Sequence, residues 1–338
     1  MDLAAAYAES DLDRARVLDA LMSSGGDILI YRPQLQHYAI LFGDLDAADH
    51  VAVFVPGVGD GTNLCEDWIP GAQNLFNEAE STAVVMWKGY DNPVDMLSEA
   101  EGVIECDEHL LTAGSDLVGF VESLELDADQ SLTIVAHSFG SVVTGTALAD
   151  FDLKVTDVVV AGSPGMTVDE LRQLHVTETH FYGEQAPGDV AAELGIFGAP
   201  PASPPFGGTR VEVNTPDHPE VAAHSHSLDT GSEALENIAD VVSGHHDDVS
   251  RHQPPLAEVI GGLVTWALEL PAAPVRVAGR HCRGPGFRVL ANALRIVDFG
   301  ATQTGNLVAE VVDHSERALV CVGRRVGAVP AEDHRTTG

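Results

Sequence analysis

The stretch LTIVAHSFGSVV, residues 132–143, constrains the fold more than any other part of this chain. Residues 132–136 form a short apolar run with β-branched members, which predicts a buried strand. His137-Ser138-Phe139-Gly140 follows with no loop residues between, and 141–148 reads as a helix. A strand that turns into a helix at a serine, with small residues two before (Ala136) and two after (Gly140), is the pattern of a nucleophile elbow. The turn forces the serine into a strained backbone conformation and lifts its hydroxyl to the rim of a sheet. The helix N-terminus then aims backbone N–H groups at any oxyanion that forms there. Most such elbows carry Gly where this chain has Ala136, and a methyl is a small departure. Pattern alone leaves the rival that Ser138 is merely a small residue in a tight connection, so the surrounding elements decide.

Strand-like runs occur at 28–31, 38–42, 51–55, 83–87, 132–136, 157–161, 179–182 and 209–213. The early ones are closely spaced, as in hairpins. From residue 51 onward, spacers of helical character intervene at 68–79, 94–124, 141–150 and 168–175, and helices are also expected at 2–22 and 232–242. Close strands followed by βαβ alternation predict a mostly parallel eight-stranded sheet with helices on both faces. An elbow serine directly after the fifth of eight strands is the α/β-hydrolase layout, in which a triad runs in the order Ser, acid, His. The acid is expected after the seventh strand, where Glu184 and Asp189 stand. The histidine is expected after the eighth, in a loop holding His218, His224 and His226. Residues 194–208, rich in Pro, Gly and Ala and carrying Ile196, Phe197 and Phe206, predict a long loop or a lid over a site.

Composition narrows the partners. With 338 residues, 45% of them hydrophobic, the chain can bury a sizeable core. Its formal net charge is −35, and Lys88 and Lys154 are its two lysines. That balance argues against nucleic acid and anionic membranes, which need basic patches. It also suggests stability that depends on salt. No run approaches the ~20 apolar residues of a membrane span. The acidic N-terminus lacks the features of a signal peptide, which makes the cytoplasm the expected location. The four cysteines (65, 106, 282 and 321) are scattered, as for free thiols in a reducing compartment. Residues 1–270 carry a net −38 and residues 271–338 a net +3. That shift, with nearby prolines, predicts an N-terminal helix at 1–26, a main domain at 27–253 and a C-terminal extension at 254–338 that the pattern leaves without a role.

The segments HVAVFVPGVGDGTNL (50–64), AVVMWKGYDNP (83–93), LTIVAHSFGSVVTGTAL (132–148), VVVAGSPGM (158–166), APGDVAA (186–192) and AHSHSLDTGSEALENIADVV (223–242) lie in order between about residues 27 and 244. In these the chain resembles a largely actinobacterial α/β-hydrolase family catalogued as a domain of unknown function. The resemblance implies serine esterase- or lipase-like chemistry. Its histidine motif falls on His224, with His226 as the alternate because Ser227 stands where an aromatic is common. Its PGD acid falls on Asp189, with Glu184, nearer the strand end, as the alternate.

These roles imply that Ser138 attacks, that His224 takes and returns its proton, and that Asp189 orients the imidazole. Imidazole suits both proton transfers near neutral pH. The glycine-rich loop PGVGDG (56–61) sits where this fold completes its oxyanion hole. The backbone N–H of Val58, or else that of Gly57, would pair with that of Phe139. His137 is expected to pack or cap, and WKGY (87–90) to serve as strand-end packing. The histidine clusters HSH (224–226) and GHHDD (244–248) lack further ligands at metal-site spacing, so no catalytic metal and no cofactor are expected. The expected activity is hydrolysis of a small-molecule or lipid carboxylic ester through an acyl-enzyme. Thioesterase or amidase chemistry and a non-catalytic binding protein on a hydrolase scaffold are the alternatives, and the sequence leaves the oligomeric state open.

Overall fold

A computed structural model describes residues 12–93, 103–187, 189, 192–193, 195–213, 224 and 226–252. The 254–338 extension, residues 1–11, His218 and most of the loop approaching His224 lie outside the described residues.

The strands are β1 (Asp27–Arg32), β2 (His37–Phe42), β3 (His50–Val55), β4 (Thr82–Lys88), β5 (Ser131–His137), β6 (Asp157–Ala161), β7 (Phe181–Glu184) and β8 (Thr209–Arg210). They form one sheet in the order β1-β2-β4-β3-β5-β6-β7-β8. The pairs β1–β2 and β2–β4 are antiparallel, and every other pair is parallel. The principal helices are α1 (Leu12–Ser23), α2 (Ile69–Glu78), α3 (Val103–Ser123), α4 (Phe139–Phe151) and α5 (Glu233–Val242).

Central strands covered on both faces read as continuous apolar runs, and alternate side chains feed two separate cores. Val53, Val85, Ile134, Ala136 and Val160 point into one, with Leu117 of α3 and Val142 and Val143 of α4. Ala52, Phe54, Val84, Met86, Val135 and Val159 point into the other, with Val17 and Leu21 of α1, Leu75 of α2 and Ile238 of α5. Helix α4 is buried from Phe139 to Leu148. An enclosed helix of this kind holds the turn at its N-terminus rigidly against β5. Among the described residues, no helix is long and apolar enough to cross a membrane.

Three elements differ from those expected, and a loop expectation is met. The seventh strand begins at Phe181, because residues Glu178–His180 close into a 3₁₀ turn. The eighth has two residues, and Val211 bridges to Arg251 instead of extending it. The helix expected at 168–175 shrinks to a single 3₁₀ turn, Leu171–Leu174, held by a reciprocal cap between Glu170 and Gln173. The described part of the 194–208 segment is a loop anchored in the core. Phe206 is buried against Phe181, and the Leu171 N–H donates to the Phe206 carbonyl.

Candidate active site

At the β5–α4 junction, Ser138 has φ 51° and ψ −126°, a conformation that non-glycine residues rarely adopt and that functional sites tolerate. The surroundings enforce it. The Ser138 N–H donates to the Ala161 carbonyl, and the Ser141 hydroxyl donates to the Ser138 carbonyl at 2.6 Å. A Cβ on Gly140 would lie 2.1 Å from the Val55 carbonyl oxygen, so the helix can approach β3 only with glycine there. Ser138 is consequently 7% exposed, with its hydroxyl at the C-terminal rim of the parallel strands.

Three side chains from distant parts of the chain meet at that rim. The Ser138 Oγ lies 3.0 Å from His224 Nε2. His224 Nδ1 lies 2.8 Å from Asp189 Oδ2. The network assigns the proton of the neutral ring to Nδ1, which donates to Asp189, while Nε2 accepts from the serine hydroxyl. The other Asp189 oxygen accepts the Ala192 N–H at 3.1 Å. Burial pushes the Asp189 carboxyl up. The His224 hydrogen bond and charge, the Ala192 N–H and nearby His137 outweigh it and leave the pKa below the ordinary range. Gly162, at φ +58°, makes room for this pair: a Cβ there would lie 2.9 Å from His224 Nδ1 and 3.1 Å from Asp189 Oδ2.

The alternates lie elsewhere. His226 bonds Asp229. Glu184 is the last residue of β7, buried, with neither carboxylate oxygen hydrogen-bonded. Burial, then the charge of Glu233, drives its pKa well above the usual carboxylate range, so Glu184 holds its proton to higher pH than an exposed carboxylate does.

The β3–α2 loop closes the other side. A Cβ on Gly57 would sit 2.8 Å from Ser138 Cβ, so this backbone packs directly against the serine with no room for a side chain. Phe139 is the first residue of α4, and the first N–H groups of a helix have no partner within it. The backbone at Gly57 and the first turn of α4, beginning at Phe139, thus flank Ser138. Phe197 sets its ring edge-on to Phe139, at 5.5 Å between centroids, and adds an apolar wall.

Two supporting groups were not singled out by the sequence as parts of this site. His137 Nε2 donates to the His224 carbonyl at 2.6 Å, and burial, reinforced by the charge of His224, lowers its pKa to about 4. The Tyr90 hydroxyl donates to the Pro56 carbonyl at 2.6 Å, at the start of the glycine loop. Lys88 is buried beneath it: its Nζ donates to the Tyr90 carbonyl and lies 3.4 Å from the Tyr90 ring centroid. Burial lowers the Lys88 pKa to about 7, with Asp91 opposing the shift. The sequence marked His137 as a packing or capping neighbour of Ser138 and WKGY as strand-end packing, without these hydrogen-bond partners.

Comparison with known proteins defines the class. An alpha/beta hydrolase family model matches residues 33–199. An uncharacterized Mycobacterium bovis protein is 32% identical over 197 residues, covering 52% of this chain and 71% of its own length. An uncharacterized Mycobacterium tuberculosis protein is 29% identical over 293 residues, covering 73% of this chain and 44% of its own. The chain thus spans less than half the length of that relative. Among solved structures, similarity extends to a carboxyl esterase from Bacillus coagulans (15% identity, TM-score 0.27, 41% of this chain and 45% of that one). It extends also to an alpha-beta serine hydrolase homologue from Coxiella burnetii (10% identity, TM-score 0.29, 47% and 72%). The chain belongs to the alpha/beta-hydrolase family, with mycobacterial relatives of unassigned function.

Proposed function

We propose that the protein is a serine hydrolase of carboxylic esters acting through Ser138, His224 and Asp189. The observation that carries this reading is the continuous hydrogen-bonded chain from the Ser138 hydroxyl through the His224 ring to the Asp189 carboxylate. In the first half-reaction, Ser138 Oγ attacks the ester carbonyl carbon as its proton passes to His224 Nε2. The resulting oxyanion is held by N–H groups of Phe139 and of Val58 or Gly57. The tetrahedral species collapses when His224 gives that proton to the departing alkoxide, so an alcohol leaves and an acyl–Ser138 ester is left. In the second half, water attacks the acyl carbon and gives its proton to His224. Return of that proton to Ser138 Oγ releases the carboxylic acid. Asp189 keeps the ring in the productive tautomer and stabilises the imidazolium that forms twice per turnover. Phe197 beside Phe139 favours an apolar acyl or alcohol group.

The test is a panel of p-nitrophenyl esters of graded chain length, with matched thioester and amide substrates, run on the wild type and on Ser138→Ala. The expected result is preference for esters and a loss on the order of 10⁶-fold in kcat for Ser138→Ala. Turnover that survives the substitution overturns the assignment. Preference for the thioester or amide overturns the ester class alone.

A further inference from the structure

At the opposite end of the sheet from Ser138, three segments converge on one buried carboxylate. Asp157 opens β6 and is 1% exposed. His180 ends the 3₁₀ turn before β7, and its Nδ1 lies 2.9 Å from Asp157 Oδ1. His246 follows α5, and its Nε2 lies 3.2 Å from Asp157 Oδ2. The two imidazole rings stand at 89° to each other, 5.6 Å apart. The three donor atoms all fall within 4.8 Å of one another.

We propose that Asp157, His180 and His246 bind a borderline-soft divalent cation, zinc before all others. Ligand atoms at about 2.0–2.1 Å from a tetrahedral zinc stand about 3.3 Å apart, so the observed spacing closes on a metal with small side-chain movements. Two imidazole nitrogens and one carboxylate oxygen select zinc and its late first-row neighbours over magnesium and calcium, which prefer all-oxygen shells. The side chains of His180 and His246 are 39% and 32% exposed, so an ion reaches the site from solvent and water completes its shell.

The proton balance is simple. Without metal, each ring can donate an N–H to Asp157. On binding, each ring presents a lone pair at that nitrogen and carries its proton on the other one, so the ion takes the place of two hydrogen bonds and compensates a buried charge. The site lies at the N-terminal ends of β6 and β7, a strand's length from the Ser138 rim. The role it fits is a staple between β6, the approach to β7 and the segment after α5. The proposal is independent of the chemistry at Ser138.

The experiment is calorimetric titration of zinc chloride into the metal-stripped full-length protein, with a competing chelator and parallel thermal melts. The wild type should take up one strongly bound equivalent and melt at a higher temperature when saturated. His180→Ala and His246→Gln, each with an unchanged circular dichroism spectrum, should bind that equivalent more than about tenfold more weakly. His246→Gln, in a partly exposed turn, is the milder change and keeps the test open if His180→Ala misfolds. Absence of a stoichiometric site in the wild type overturns the proposal, leaving the three residues as a hydrogen-bonded buttress. Equal binding in the His246→Gln variant also overturns it, since the acidic surface or other histidines would then hold the ion.

Discussion

The side chain of His137 holds the backbone of His224: its Nε2–H reaches the His224 carbonyl at 2.6 Å, with the two rings 4.9 Å apart. The residue before the nucleophile thereby fixes the loop that delivers the proposed base. Burial keeps His137 neutral down to about pH 4, so it is a standing donor and does not titrate in the working range. His137→Phe retains a ring but loses the donor. A lost neutral hydrogen bond of about 1 kcal/mol corresponds to a roughly fivefold fall in kcat. The pH profile above about pH 5 should keep its shape, and steady-state rates across pH check both points.

Gly162 is predicted to be intolerant of a side chain. Gly162→Ala adds strain at φ +58° and drives a methyl into the His224 ring and the Asp189 carboxylate. The left-handed conformation costs about 1–2 kcal/mol, and displacing the imidazole by about an ångström costs on the order of 10²-fold in rate. Activity should therefore fall much further than stability, measured together by ester turnover and urea melts.

Lys88 should make stability rise with pH. Its pKa is about 7 in the fold against 10.5 for an ordinary lysine. Between those values the unfolded chain binds the extra proton, so unfolding becomes harder as pH increases. The favourable contribution is complete above about pH 10.5 and is lost as pH falls through about 7. The slope is at most about 1.4 kcal/mol per pH unit. Lys88→Met should remove that slope in denaturant melts between these limits.

Glu184 should act in the opposite sense. Its pKa is raised well above 4.5, so the folded state retains a proton that the unfolded chain loses. Stability then declines as pH rises past about 4.5. Glu184→Gln keeps the shape without the titration. Its melts at about pH 5 and about pH 7 should differ less than those of the wild type.

Much of this was legible in the sequence because it is local. The apolar run 132–136 with small residues around Ser138 specifies a strand, a strained turn and a helix whatever surrounds them. Eight such runs in order specify the sheet. The choice between Glu184 and Asp189, or between His224 and His226, depends on where a loop backbone travels after its strand, and no periodicity records that. The Tyr90–Pro56 clasp is likewise invisible, as it joins two loops through one hydroxyl. The Asp157 cluster is harder still. Its histidines stand 23 and 89 positions away in the chain; the parallel pairing of β6 and β7 brings His180 to Asp157, and the segment after α5 brings His246.

The most direct measurement is intact-mass and peptide analysis after exposure to a fluorophosphonate probe, which reacts only with an activated serine. One adduct per chain on Ser138, abolished in Ser138→Ala and strongly slowed in His224→Ala, is the predicted result. A folded wild type that takes no label, or takes it at another serine, would contradict the account.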